Sequence, residues 1–211
     1  MKRVTALLFL LVAPLLLFSQ TSFYDGDFKI KGSRDSKEVP IRVGENDIYL
    51  SFLCKYDIYK NEPTLQLIID IPTIQVSTFK TQIRELEGKY NEWANVARTN
   101  NVKNVNKEIP VALSAICDNL KICEYTEVYK NYRGERLFNA QETSVTPKFV
   151  VKDGIPHCYI WMFAWRNGEQ VSTIWSIGEY DFSKITEGVD KAIKIQNERK
   201  EEKERVKDLF H

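Results

Sequence analysis

The chain holds only two histidines, His157 and His211, and that limits its chemistry before any fold is considered. Ser-His-Asp or Cys-His catalysis has to run through one of them. His157 is followed directly by Cys158, which invites a thiol–imidazole reading. Successive side chains of a strand point to opposite faces, however, so adjacency does not make a dyad, and no catalytic residue is assigned. No CxxC, HExxH or EF-hand loop occurs, and the spacing of Cys117 and Cys123 is looser than structural zinc ligands show. No metal is expected. Glycine-rich phosphate loops are absent too, and no cofactor is expected. Asp57, Asp70 and Glu127 fall in strand-like runs where burial would raise a carboxyl pKa. They keep a hydrolase with an unidentified site as an alternative.

The densest chemistry is HCYIWMFAW, residues 157–165. In a strand, His157, Tyr159, Trp161, Phe163 and Trp165 share one face, and Cys158, Ile160, Met162 and Ala164 share the other. Trp161, Trp165, Tyr159 and His157 are therefore the candidate ligand-binding residues. Whether they face ligand or core depends on the turn at Asn167-Gly168. A two-residue turn pairs Arg166 with Glu169 and sets the aromatics beside Ser172, Ile174 and Ser176, a mixed surface suited to stacking on sugars or a partner. A three-residue bulged loop pairs Trp165 with Glu169 and gathers Val171, Thr173, Trp175 and Ile177 onto the aromatic face. One residue of slip exchanges the two faces. The bulged loop segregates apolar from polar side chains better, and burying an aromatic contributes about 2–3 kcal/mol. The expectation is a bulged loop with the aromatics in the core.

The first twenty residues, MKRVTALLFLLVAPLLLFSQ, have the layout of a secretory signal peptide: Lys2 and Arg3, an apolar run from Val4 to Phe18, and a small residue, Ser19, before the cut. The run is shorter than a membrane-spanning helix requires. Cleavage after Ser19 or after Gln20 leaves one domain of about 190 residues. An exported product, periplasmic or secreted and bacterial in style, is expected, with no membrane span after cleavage. Removing Lys2 and Arg3 takes the formal charge from +1 to −1. A near-neutral chain with interspersed charges lacks the footprint of a nucleic-acid binder. The partner expected is an envelope or extracellular ligand or protein.

Four cysteines, Cys54, Cys117, Cys123 and Cys158, follow the leader. In an oxidising compartment an even count permits disulfides. Cys117 and Cys123 are the candidate pair, bridging a hairpin around Asp118–Lys121. Cys54 and Cys158 sit in apolar runs and read as buried thiols.

These groups need elements to hold them. Strand alternation runs through residues 41–44, 48–59 and 64–71. It returns from 107, with KEIPVALSAIC and KICEYTEVYK flanking a hairpin and a turn at Arg133-Gly134-Glu135. Residues 146–151, 155–165 and 171–177 continue an antiparallel meander. Between them Phe79, Ile83, Leu86, Tyr90, Trp93 and Ala97 recur at helical spacing over 78–99, capped by Ser77 or Thr78. Gly88, inside that helix, sits where something could pack closely. A last helix starts at Asp181 or Ser183, packs through Ile185, Val189, Ala192, Ile193 and Gln196, and ends in the balanced charges of 198–208, which read as solvated. The expected class is α+β: an antiparallel sheet of about seven to nine strands carrying a mid-chain helix and a long C-terminal helix. The outline resembles helix-grip folds in topology alone, which implies no function. The expected role is a non-enzymatic exported binding or accessory module of the cell envelope. The alternatives are an assembly partner of an envelope complex and the hydrolase above.

Overall fold

The structure, a computed structural model, describes residues 22–31, 38–57, 62–129, 132–178 and 181–209. The residues read as a signal peptide, 1–20, and His211 lie outside them. Six strands form one antiparallel sheet: β1 (Phe28–Ile30), β2 (Val39–Val43), β3 (Asp47–Asp57), β4 (Glu62–Pro72), β6 (Leu120–Tyr129) and β7 (Tyr132–Asn139), ordered β1-β2-β3-β4-β6-β7. Four more, β5 (Val105–Glu108), β8 (Glu142–Lys152), β9 (Ile155–Arg166) and β10 (Glu169–Ile177), form a second sheet ordered β10-β9-β8-β5. The helices are α1 (Val76–Thr99), a single turn α2 (Ser114–Cys117) and α3 (Asp181–Asp208). The α+β class, the antiparallel strands and both long helices are as expected. The described strands number ten and are divided between two sheets.

One apolar core joins both sheets and both long helices. Leu50 of β3, Leu67 and Ile69 of β4, Ile160 and Met162 of β9, Phe79 and Tyr90 of α1, and Phe182 and Val189 of α3 all belong to it. The buried stripe of α1, Val76, Phe79, Ile83, Leu86, Tyr90, Ala94 and Ala97, follows the spacing read from sequence. Its start differs: a 3-10 turn at Thr73–Gln75 leads into Val76, and Gln75 stands at the N-cap without a side-chain bond. Gly88 is exposed, and a Cβ there would touch nothing. The close approach is instead at Gly188 of α3, where a Cβ would come within 2.8 Å of Ile30. That glycine seats α3 against β1 and β2.

Two segments depart from the sequence reading. KEIPVALSAIC is not the arm of a hairpin: β5 pairs with β8, and the chain then turns through Pro110 into α2. Proline lacks the N–H needed to extend the ladder. Gly134 is not in a turn but pairs with Thr126 inside the β6–β7 ladder. The charged end of α3 is also docked in part. Arg199 donates to Val43 O (2.8 Å) and meets Asp27 at 2.6 Å, and Lys203 meets Glu45 at 3.0 Å. Val43 at the end of β2, Glu45 in the β2–β3 loop and Asp27 before β1 supply these partners, which a helix pattern by itself does not reveal.

The face of the six-stranded sheet turned away from the helices has its own cover, the segment 22–27. Phe23 packs on Ile68 and Cys123, and the Arg42 guanidinium lies 4.3 Å over its ring. Its backbone N–H donates to Glu135 Oε1 at 2.8 Å. Gly26 allows this approach, since its φ is +64° and a Cβ would stand 2.6 Å from Ile41 O.

Candidate functional site

The turn after β9 decides the orientation of the aromatic strand. Asn167 and Gly168 have φ of +52° and +80°, and Arg166 pairs with Glu169. This is the two-residue turn whose twist matches the flanking strands, not the bulged loop. The register follows: Trp165 opposite Gln170, Phe163 opposite Ser172, Trp161 opposite Ile174 and Tyr159 opposite Ser176. The expectation that the aromatics form the core is corrected. Cys158, Ile160, Met162 and Ala164 are fully buried under α1, and His157, Tyr159, Trp161, Phe163 and Trp165 are half-buried on the outer face. Tyr90 of α1 donates to Pro156 O at 3.1 Å on the inner side.

On the outer face the rings form a ladder along one strand. His157 and Tyr159 stack at 5.8 Å and 14°, Trp161 and Phe163 lie 6.2 Å apart, and Phe163 and Trp165 stack at 6.1 Å and 25°. Such offset contacts suit the ring quadrupoles. Polar side chains flank them: Ser144, Thr146 and Lys148 on β8, Ser172 and Ser176 on β10. Lys148 Nζ sits 4.7 Å over the Trp161 ring, a cation–π contact. The Trp161 indole N–H is buried without an acceptor. His157 therefore belongs to a surface row while Cys158 is sealed in the core, so the two do not meet. The register was within reach of the sequence: Lys152-Asp153-Gly154-Ile155 closes a two-residue turn of the same kind. It places Phe149 and Val151 opposite Cys158 and Pro156, and the polar Ser144 and Thr146 opposite Phe163 and Trp161.

A cavity of about 280 Å³ opens where β10 meets the six-stranded sheet. Neither Trp161 nor Trp165 lines it, but Ile174 and Ser176, the partners of Trp161 and Tyr159 across the outer face, do. Its floor includes Ser51 of β3 and Gln66 of β4, 2% and 1% exposed. Ser51 Oγ has no partner. The Tyr125 hydroxyl donates to Gln66 Oε1 at 2.7 Å, which leaves the amide nitrogen as the donor on the cavity wall. Sequence reading missed this site because its walls come from β2, β3, β4 and β10, and no local pattern joins them.

The carboxylates do not assemble a comparable centre. Asp70 is buried and paired with Lys121, and its Oδ1 has no partner. Asp47 has its pKa raised by burial, with the Asp70 charge adding to the effect. Tyr49 between them is pushed up to about 12, first by burial. The side chains of Asp57 and Glu127 lie outside the described residues. Among the described residues no three His, Cys, Asp or Glu side chains group as metal ligands, and no helix is long and apolar enough to cross a membrane.

The expected Cys117–Cys123 bridge is also corrected: none of the four cysteines is in a disulfide. Cys117 ends α2, which packs on α1, β4 and β8, and its sulfur lies 3.4 Å from Thr143 Oγ1. Cys123 points to the other side of the six-stranded sheet, beneath Phe23. The strand ladder separates the two sulfurs. No protein-family model, curated protein or solved structure matches this chain.

Proposed function

We propose that this chain is an exported, non-enzymatic binding module of the cell envelope, and that its ligand surface is the outer face of the four-stranded sheet. The observation that supports this is the two-residue turn, which sets five rings of one strand on the face opposite the helices. A half-buried aromatic row keeps apolar area in contact with water that a core would have removed. Rings interleaved with hydroxyls match the alternation of C–H faces and hydroxyl groups on a glycan chain. Nearly balanced charge disfavours a polyanionic ligand.

The test is quenching of tryptophan fluorescence by soluble hexasaccharides of glucose and of N-acetylglucosamine. Saturable binding is expected, and Trp161→Ala or Trp165→Ala should each weaken it about tenfold, one stacking contact in energy. Binding unchanged by both substitutions overturns the assignment. The exposed Ile174 beside Trp161, 49% accessible, favours the second reading, an assembly partner. Reversible self-association that Ile174→Lys abolishes, with no glycan binding, would select it.

A further inference from the structure

The cavity between β10 and the six-stranded sheet carries an inference of its own. Its volume of about 280 Å³ lies at the small end of ligand pockets, room for a single ring-sized group and not for an oligomer. The two buried polar groups on its floor are complementary to one functional group. The Gln66 oxygen accepts from Tyr125, which orients the amide and leaves its N–H donors for a ligand. Ser51, on the neighbouring strand, has a hydroxyl that both donates and accepts and has no partner. A secondary amide satisfies both: its carbonyl oxygen accepts from Gln66 and its N–H donates to Ser51 Oγ. Val39, Pro40 and Leu53 supply apolar wall for a small acyl group. The exposed lining residues include one cation, Lys29, and one anion, Glu38, so a neutral ligand is not opposed at the mouth. Thr173 and Ser176 add hydroxyls where ring hydroxyls would emerge.

We propose that this cavity binds the acetamido group of one N-acetylated sugar, held by Ser51 and Gln66. The inference rests on the binding-module reading, but its floor residues, Ser51 and Gln66, are separate from the aromatic ladder. The experiment is calorimetric titration of the full chain with N-acetylglucosamine, glucose and N-acetylalanine methylamide. N-acetylglucosamine should saturate one site at millimolar concentrations or below. Glucose, which lacks the acetamido carbonyl and N–H, should bind at least about tenfold more weakly. Ser51→Ala should weaken N-acetylglucosamine binding about five- to tenfold. Leu53→Lys, at a wall position 38% exposed and so tolerant of charge, should abolish it while the chain stays folded by circular dichroism. Equal affinity for glucose, full affinity in Ser51→Ala, or no heat with N-acetylglucosamine overturns the inference. Equal binding of the alanine derivative overturns the sugar assignment. A Trp161→Ala/Trp165→Ala double variant separates the two proposals, because neither tryptophan lines the cavity. Monosaccharide binding kept by the double variant while hexasaccharide binding is lost supports both sites. Monosaccharide binding by a wild-type chain that binds no hexasaccharide overturns the ladder and leaves the cavity standing.

Discussion

Ser51→Ala should make the unliganded protein more stable. Ser51 is 2% exposed on a strand between β2 and β4, and its hydroxyl has no hydrogen-bond partner. In the unfolded chain that hydroxyl is solvated, so folding strips its water without replacement, at a cost of about 1–3 kcal/mol. Alanine keeps the Cβ and removes only the oxygen, beside an existing cavity, so little packing is lost. A net gain of about 1 kcal/mol is expected, which raises the melting temperature by about 2–4 °C in a chain of this size. Calorimetric melting of the wild type, Ser51→Ala and a control, Ser172→Ala, checks it. Ser172 is exposed on the outer face of β10, and its substitution should stay within about 0.5 kcal/mol of neutral. A Ser51→Ala melt below wild type by about 2 °C or more would show that the hydroxyl is satisfied in the folded protein. The cavity floor would then hold no unpartnered hydroxyl for an amide to satisfy. The expected pair of outcomes, higher stability with weaker amide binding, is the trade a binding residue makes and a structural residue does not.

Other consequences are as direct. Gly88→Ala should stabilise α1 by up to about 1 kcal/mol, measured by urea unfolding, since the added methyl meets nothing and alanine is the better helix former. Gly188→Ala should destabilise by about 1–3 kcal/mol in the same assay, because its Cβ would stand 2.8 Å from Ile30 in a packed core. Thiol titration of the denatured, unreduced chain should count four thiols, and a bridge mapped to a Cys117–Cys123 peptide would contradict the separation of those two sulfurs. In the native state at neutral pH, Cys123 and Cys158 should resist alkylation. Burial pushes both up to about 12 from an ordinary 9.0, and thiolate is the reactive form. Because the folded values exceed the unfolded ones, the stability these thiols confer is complete below pH 9.0 and lost as pH rises towards 12. Urea midpoints measured from neutral to alkaline pH should fall over that window.

The elements were largely legible because their periods are local. The stripe Phe79, Ile83, Leu86, Tyr90 and Ala97 names both the helix and its buried face, since a side chain's direction on a helix is fixed by its position alone. The same holds for Ile185, Val189 and Ala192 on α3, and for the alternation that separated His157 from Cys158. Strand faces were different. Alternation says which residues of β9 lie together but not which set is inside. The hairpin with β10, taken alone, favoured the wrong face because it groups Val171 and Trp175 with the rings. β8 resolves it: Phe149 joins the Cys158 side, and α1 then covers that side through Tyr90.

By itself the sequence determined the α+β class, the long helices with their packing stripes, and a row of rings on one side of one strand. Tertiary structure alone decided which side meets water, which loop the charged end of α3 grips, and that Cys117 and Cys123 lie across a sheet from each other. It alone brought Ser51 and Gln66 together with Val39 and Ser176 around one cavity. The division follows from range. Helical stripes and strand alternation are set by backbone geometry within a few residues. Burial of one face over another is a contest settled by what packs against it, and those partners are distant in the chain.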